Sequence, residues 1–162
     1  MFGNGDIHML PLNGEKQPKP FLATPFNENQ AAISPDGRWV AYSSNESVNV
    51  EVYLRSFPGA MGKSLVSVNR GGILPRWRAD GKELYWRDFE GMIYAAKLEL
   101  RGTESKIERP EALFRVQGEA GLLASFEPSP DGRKFLIQES EGEDRPDLPL
   151  AVVQNWAGRL GK

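Results

Sequence analysis

The apolar positions of this chain come in short runs, each bounded by Gly, Pro, Asp or Asn. Val40-Ala41-Tyr42, Val52-Tyr53-Leu54, Leu84-Tyr85-Trp86, Ile93-Tyr94-Ala95-Ala96 and Phe135-Leu136-Ile137 are rich in β-branched and aromatic residues, and none is long enough for a helix of ordinary length. The pattern predicts strands over residues 6–12 and 20–24, a hairpin over 31–43, strands over 51–57 and 63–68, and a second hairpin over 74–87. It continues with strands over 92–98 and 112–116, a third hairpin over 124–138 and a last strand over 150–156. About eleven strands and no long helix are expected from this punctuation. The polar stretch from Arg101 to Pro110 reads as an irregular loop, and Glu139 to Pro149 as an acidic one.

One short stretch recurs three times and orders the rest. Ser34-Pro35-Asp36-Gly37-Arg38 is followed by Arg78-Ala79-Asp80-Gly81-Lys82 and by Ser129-Pro130-Asp131-Gly132-Arg133. Pro at the second turn position pre-sets φ, Asp at the third bonds nearby backbone, and Gly takes a left-handed conformation, which together predict a three-residue hairpin loop, a type I turn with a G1 bulge. Ala79 shows that the Pro is dispensable, whereas the Asp-Gly pairs Asp36-Gly37, Asp80-Gly81 and Asp131-Gly132 are kept. The Asp positions are 44 and 51 residues apart, and the strand-like runs beginning at Ile7, Val52 and Ile93 are 45 and 41 apart. Two features sharing a period near the ~40–50 residues of a propeller blade predict an all-β, partial β-propeller.

Lettering each blade a to d from the inside outward, the chain supplies strands c and d, then two complete blades, then a, b and c. This makes about three four-stranded antiparallel blades in a single domain spanning residues 1–162. Closed propellers hold roughly 4–8 blades, and open strand edges invite association. The expectation is therefore either a homodimer that closes a six-bladed ring in trans or a piece of a longer propeller.

Composition narrows the function more than the fold. A net charge of −2 and a pI near 5.6 give no global field for nucleic acid or anionic membranes. The absence of Cys removes disulfides and thiolate chemistry. No run approaches the ~20 apolar residues of a membrane span, and residues 1–6 show no secretory leader. A periplasmic and a cytoplasmic location both stay open.

The three turns, with Pro75-Arg76-Trp77-Arg78 before the second, resemble the WD40-like (PD40) repeat of TolB-type β-propellers. Asp6-Ile7-His8-Met9-Leu10-Pro11-Leu12-Asn13-Gly14, Glu51-Val52-Tyr53-Leu54-Arg55-Ser56-Phe57-Pro58-Gly59 and Val152-Val153-Gln154-Asn155-Trp156 are similar to the C-terminal half of propellers attached to bacterial serine/threonine protein kinases. Nearly the whole chain is covered. The chain departs from the pattern at Ala79, at Ile33 and Pro128 where Trp77 stands in the second copy, and at His8, where an aromatic is usual. The resemblance implies a sensor or interaction module and no enzyme.

The residues themselves offer little catalysis. Serine-type hydrolysis needs a histidine oriented by an acid, and the only histidine, His8, has no Gly-x-Ser-x-Gly elbow to serve. Asp36, Asp80 and Asp131 are explained by their turns, and the acidic run from Glu139 to Asp144 lacks the alternating ligands of a calcium loop, so no metal or cofactor is expected. Arg76-Trp77-Arg78 interleaves charge and aromatic, but Trp77 suits packing between blades better than nucleic acid.

A binding surface remains: the loops Asn27 to Gln30, Asn69 to Gly72 and Gly118 to Ala120 lead into the inner strands. The candidate residues there are Asn29, Arg70, Arg76 and Glu127. The expected function is non-catalytic recognition of a protein, peptide or small ligand through the propeller face and channel. A lyase- or glycosidase-type site shared between subunits, and a structural repeat without a ligand, are the alternatives.

Overall fold

The computed structural model describes residues 5–68, 71–116 and 125–138, and among these every regular element is a strand. The strands are β1 (Ile7–Met9), β2 (Lys19–Leu22), β3 (Glu28–Ile33), β4 (Trp39–Ser44), β5 (Glu51–Ser56), β6 (Ser64–Leu65) and β7 (Ile73–Trp77). They continue with β8 (Glu83–Arg87), β9 (Met92–Arg101), β10 (Glu104–Ile107), β11 (Glu111–Arg115), β12 (Phe126–Pro128) and β13 (Phe135–Ile137). β3-β4-β5-β6 form one four-stranded antiparallel blade. β7-β8-β9-β10 form the next, with β11 also paired to β9. β1-β2 and β12-β13 are two-stranded sheets. In the lettering above, these correspond to strands c and d of one blade and a and b of another. The expected strand over 150–156 and the loop over 139–149 lie outside the described residues.

The turns show how the repeat works. Gly37, Gly81 and Gly132 have φ of 69°, 70° and 70°, the left-handed region that Gly enters without a Cβ penalty. Their N–H groups donate to the carbonyls of Ser34, Arg78 and Ser129 at 2.8, 2.9 and 2.8 Å. The loop is one residue wider than the three-residue turn expected, because each closes on a pair five positions apart: Ser34 N–H donates to Trp39 O, Arg78 to Glu83 O and Ser129 to Lys134 O. Ser34 Oγ takes the Trp39 N–H at 2.9 Å, and Ser129 Oγ does the same for Lys134. The serine carbonyls are already engaged by the glycines, so the hydroxyls complete the closure.

Period-two alternation on the second strand of each complete blade, β4 and β8, buries both faces. Trp39 and Ala41 point into one layer with Val52, Leu54, Val66, Leu84 and Trp86; Val40 and Tyr42 point the other way, with Leu22 and Tyr53. On β8, Leu84 and Trp86 serve the layer toward the preceding blade, while Tyr85 joins Ile93, Ala95, Val116 and Phe126 on the side of β12-β13. The core is thus a set of layers between blades, and each fully buried large side chain contributes about 1.5–3 kcal/mol.

The stretch from Arg101 to Pro110 is not the irregular loop expected. Leu98 to Arg101 of β9 pair with Glu104 to Ile107 of β10 across a turn at Gly102, and β11 begins at Glu111. Lys97 and Glu99 face solvent, whereas Leu98 is buried and Leu100 and Ile107 pack on the core between the complete blades, which holds the arm in strand form. A further departure concerns Asn29 and Gln30, expected in a loop entering the inner strand. β3 already starts at Glu28, and both residues lie within it.

Candidate functional site

The innermost strands are β3, β7 and β12, and the repeat places Ala32, Arg76 and Glu127 at equivalent positions on them. Arg76 Nε donates to Glu127 Oε2 at 2.9 Å, joining neighbouring blades along the inner edge. Arg76 Nη1 donates to Pro75 O at 3.0 Å, and its Nη2 makes no hydrogen bond among the described residues. The Arg76 side chain is 28% exposed and that of Glu127 63%, so the pair is reachable from solvent. An ion pair this open is worth at most about 1 kcal/mol to folding, which leaves both groups free to exchange partners.

Beside the pair is a hollow of about 270 Å3 lined by Arg76, Ser125, Phe126, Glu127, Leu136 and Gln138, among others. Ser125 Oγ donates to Gln138 Oε1 at 2.9 Å across its wall. A cation, a carboxylate, a hydroxyl and an amide thus stand next to an apolar side chain, Leu136, which is 78% exposed.

The other candidates stand apart. Asn29 is exposed on β3, its Oδ1 close against Gly5. Arg70 and the loop from Gly118 to Ala120 lie outside the described residues. His8 is exposed on β1, opposite Pro20. Asp36, Asp80 and Asp131 spend their carboxylates on the turns: their Oδ1 atoms accept the N–H of Arg38, Lys82 and Arg133 at 3.1, 3.0 and 3.0 Å. The hydroxyls of Ser34 and Ser129 hold the carboxyls of Asp36 and Asp131 below the usual range, and the Arg78 guanidinium does so for Asp80. Among the described residues no three His, Asp or Glu side chains cluster as a metal site would require.

Gln30 is the contributor least legible in the sequence. It sits at φ 55° in a bulge of β3, and Leu74, 44 residues later, sits at φ 56° in the matching bulge of β7. Gln30 Oε1 accepts the Leu74 N–H at 2.9 Å and the Ser43 hydroxyl at 3.1 Å, tying the two inner strands together. Trp77 Nε1 donates to Ala32 O at 3.0 Å and adds a second tie. The 44-residue period could have marked positions 30 and 74 as equivalent. Nothing in a Gln or a Leu signals a left-handed backbone.

No family model matches the sequence, and no curated protein matches it. Among solved structures, TolB from Acinetobacter baumannii is similar, with a TM-score of 0.60 at 21% identity. The match covers 84% of this chain and 32% of that one. A protein from Agrobacterium tumefaciens assigned as TolB gives a TM-score of 0.50 at 12% identity, over 65% of this chain and 41% of that one. At such identities the likeness establishes a fold: the chain has the all-β, blade-by-blade fold of TolB-type propellers. It spans about a third of the Acinetobacter protein's length.

Proposed function

We propose that the chain is a non-catalytic recognition module that holds a peptide or protein segment along its inner strands, beside Arg76 and Glu127. One observation carries this reading: a half-open ion pair bridges two blades at the rim of a hollow whose walls mix hydrogen-bonding groups with apolar surface. Peptide recognition asks for this mixture, since main-chain amides and side chains must be satisfied together. A glycosidase would need a second carboxylate facing Glu127. Among the described residues the hollow is lined by Glu127 alone of that type.

Among the described residues the inner strands leave apolar side chains exposed at both ends of the array, and the reading includes their closure by a second copy. Ile33 is 56% exposed although its equivalent Trp77 packs on the preceding blade, and Leu136 is bare although its equivalents Ala41 and Tyr85 are each 0% exposed. The outer pair β1-β2 of one copy complements the inner pair β12-β13 of the other, giving two identical seams. Leu136 also lines the hollow, so closure turns the hollow into a pocket bounded by both chains.

A displayed random-peptide library selected against the chain tests recognition. Enrichment of peptides whose binding falls at least tenfold in Arg76→Ala and Glu127→Ala supports it. Enriched peptides indifferent to both substitutions, or no enrichment, overturn it.

A further inference from the structure

A second cleft lies away from the inner strands, between the two complete blades on the side of the turns. Its walls come from the first two turns and the outer half of β9: Asp36, Arg38, Asp80, Lys82, Leu100 and Arg101 enclose about 470 Å3 with their neighbours. That volume is within the ~300–1,000 Å3 of ligand pockets.

The cleft exists because β9 outruns its partner β8. Glu83 pairs with Lys97 at the end of the ladder, and Leu98 N–H donates to Lys82 O at 2.9 Å, fixing where the arm departs. The arm is then pinned to the neighbouring blade. Ser105 Oγ lies 2.7 Å from Ser64 Oγ on β6, and the backbone at Thr103 packs so closely on Gly62 that a Cβ there would strike the Thr103 carbonyl. Three walls from two blades are thereby held in one arrangement, as preorganised binding requires.

Its lining holds three acids and three bases, but the ion pairing among them is uneven. Asp36 is neutralised by Arg38 at 2.8 Å, Asp80 by Arg78 at 2.8 Å and Glu99 by Lys106 at 3.0 Å. Arg78 and Lys106 stand outside the lining. Lys82 and Arg101 form no ion pair among the described residues, and Arg38 spends only Nε on Asp36. The acids are therefore occupied while cationic donors remain, next to the side chains of Leu98 and Leu100.

We propose that this cleft binds an acidic peptide segment, its carboxylates taken by Lys82 and Arg101 and an apolar side chain laid against Leu100. Two cations without ion pairs are too few for a nucleic-acid track, which needs a run of phosphate contacts, and the apolar wall favours a peptide over a bare anion. This site is independent of the Arg76–Glu127 hollow, and each can fail alone.

The test is fluorescence anisotropy at low salt, with a labelled peptide alternating leucine and glutamate, a lysine-for-glutamate counterpart and inorganic pyrophosphate as probes. The acidic peptide is expected to bind and to weaken as salt is raised. Lys82→Glu combined with Arg101→Glu should weaken it more than tenfold, and Arg76→Glu should leave it unchanged. If the glutamate variants fold poorly, Lys82→Gln with Arg101→Gln provides the same comparison, with a loss of several-fold expected. No binding, equal binding of the lysine peptide, retention in the double variant, loss in Arg76→Glu, or competition by equimolar pyrophosphate would each overturn the proposal.

Discussion

At the scale of single residues, the repeated turn shows one constraint met in two ways. In the first and third copies a Ser hydroxyl bonds the Asp carboxylate at 2.6 Å; in the second, Arg78 grips Asp80 through Nε and Nη2 and reaches Glu83 with Nη1 at 2.6 Å. The Asp-Gly pairs were legible because the turn needs them whatever surrounds it. The demands of neighbouring blades were not, since they depend on residues far along the chain. Gly132 is the clearest case: a Cβ there would collide with Tyr85 Oη, whereas one at Gly37 would meet open space. Both substitutions force an L residue into a left-handed φ, costing about 1–2 kcal/mol. Gly132→Ala should cost at least about 1 kcal/mol more than Gly37→Ala in urea denaturation, through the overpacking it forces. Equal losses would remove the contact between blades from the account.

Buried phenols set the alkaline limit. Burial pushes the Tyr42 phenol up to about 12, and burial with the Glu83 carboxylate moves Tyr85 upward as well. A phenol that ionises near pH 10 when unfolded and higher when folded gives stability that is fully present below pH 10 and lost as the pH climbs to about 12. Melting temperatures should therefore fall across that window, and less steeply in Tyr42→Phe. A flat profile to pH 12 contradicts this. The turn carboxylates act at the other end. Their lowered values mean that stability present above about pH 4 declines as acid protonates Asp36 and Asp80.

At the scale of elements, the hairpins and the two complete blades followed from apolar runs and their period, because burial on both faces leaves a continuous apolar signature. The β9-β10 arm did not, although its alternation was present: Leu98 and Leu100 are separated by Glu99, and Ser105 and Ile107 by Lys106. Its polar half and the Gly at 102 masked a strand buried on one face only. Leu98→Ala should cost about 2–5 kcal/mol by leaving a cavity between the blades, whereas Lys106→Ala should stay within about 0.5 kcal/mol. Thermal unfolding of both variants checks this, and similar shifts would mean that the arm does not pack as described. The paired bulges at Gln30 and Leu74 were likewise beyond sequence reading, since they exist to let one inner strand bond the next.

At the scale of the molecule, the layers between blades explain why fold and site share residues. Arg76 and Glu127 meet because β7 and β12 are consecutive inner strands, and Lys82 and Arg101 share a cleft because β9 outruns β8. The equivalence of Arg76 and Glu127 was readable from the repeat, which makes the ion pair the part of the site most visible in advance. Ile33 and Leu136 are two of the exposed large apolar side chains among the described residues. If a second copy covers Leu136, as proposed, Leu136→Asp should be a monomerising substitution, while Val48→Asp, at a loop position already fully exposed, should change nothing. The most direct measurement is the mass in solution, by light scattering on a sizing column at tens of micromolar. A species of twice 18.1 kDa that reverts to a folded monomer in Leu136→Asp is expected from ring closure by a second copy. A folded wild-type chain of 18.1 kDa at that concentration would contradict it.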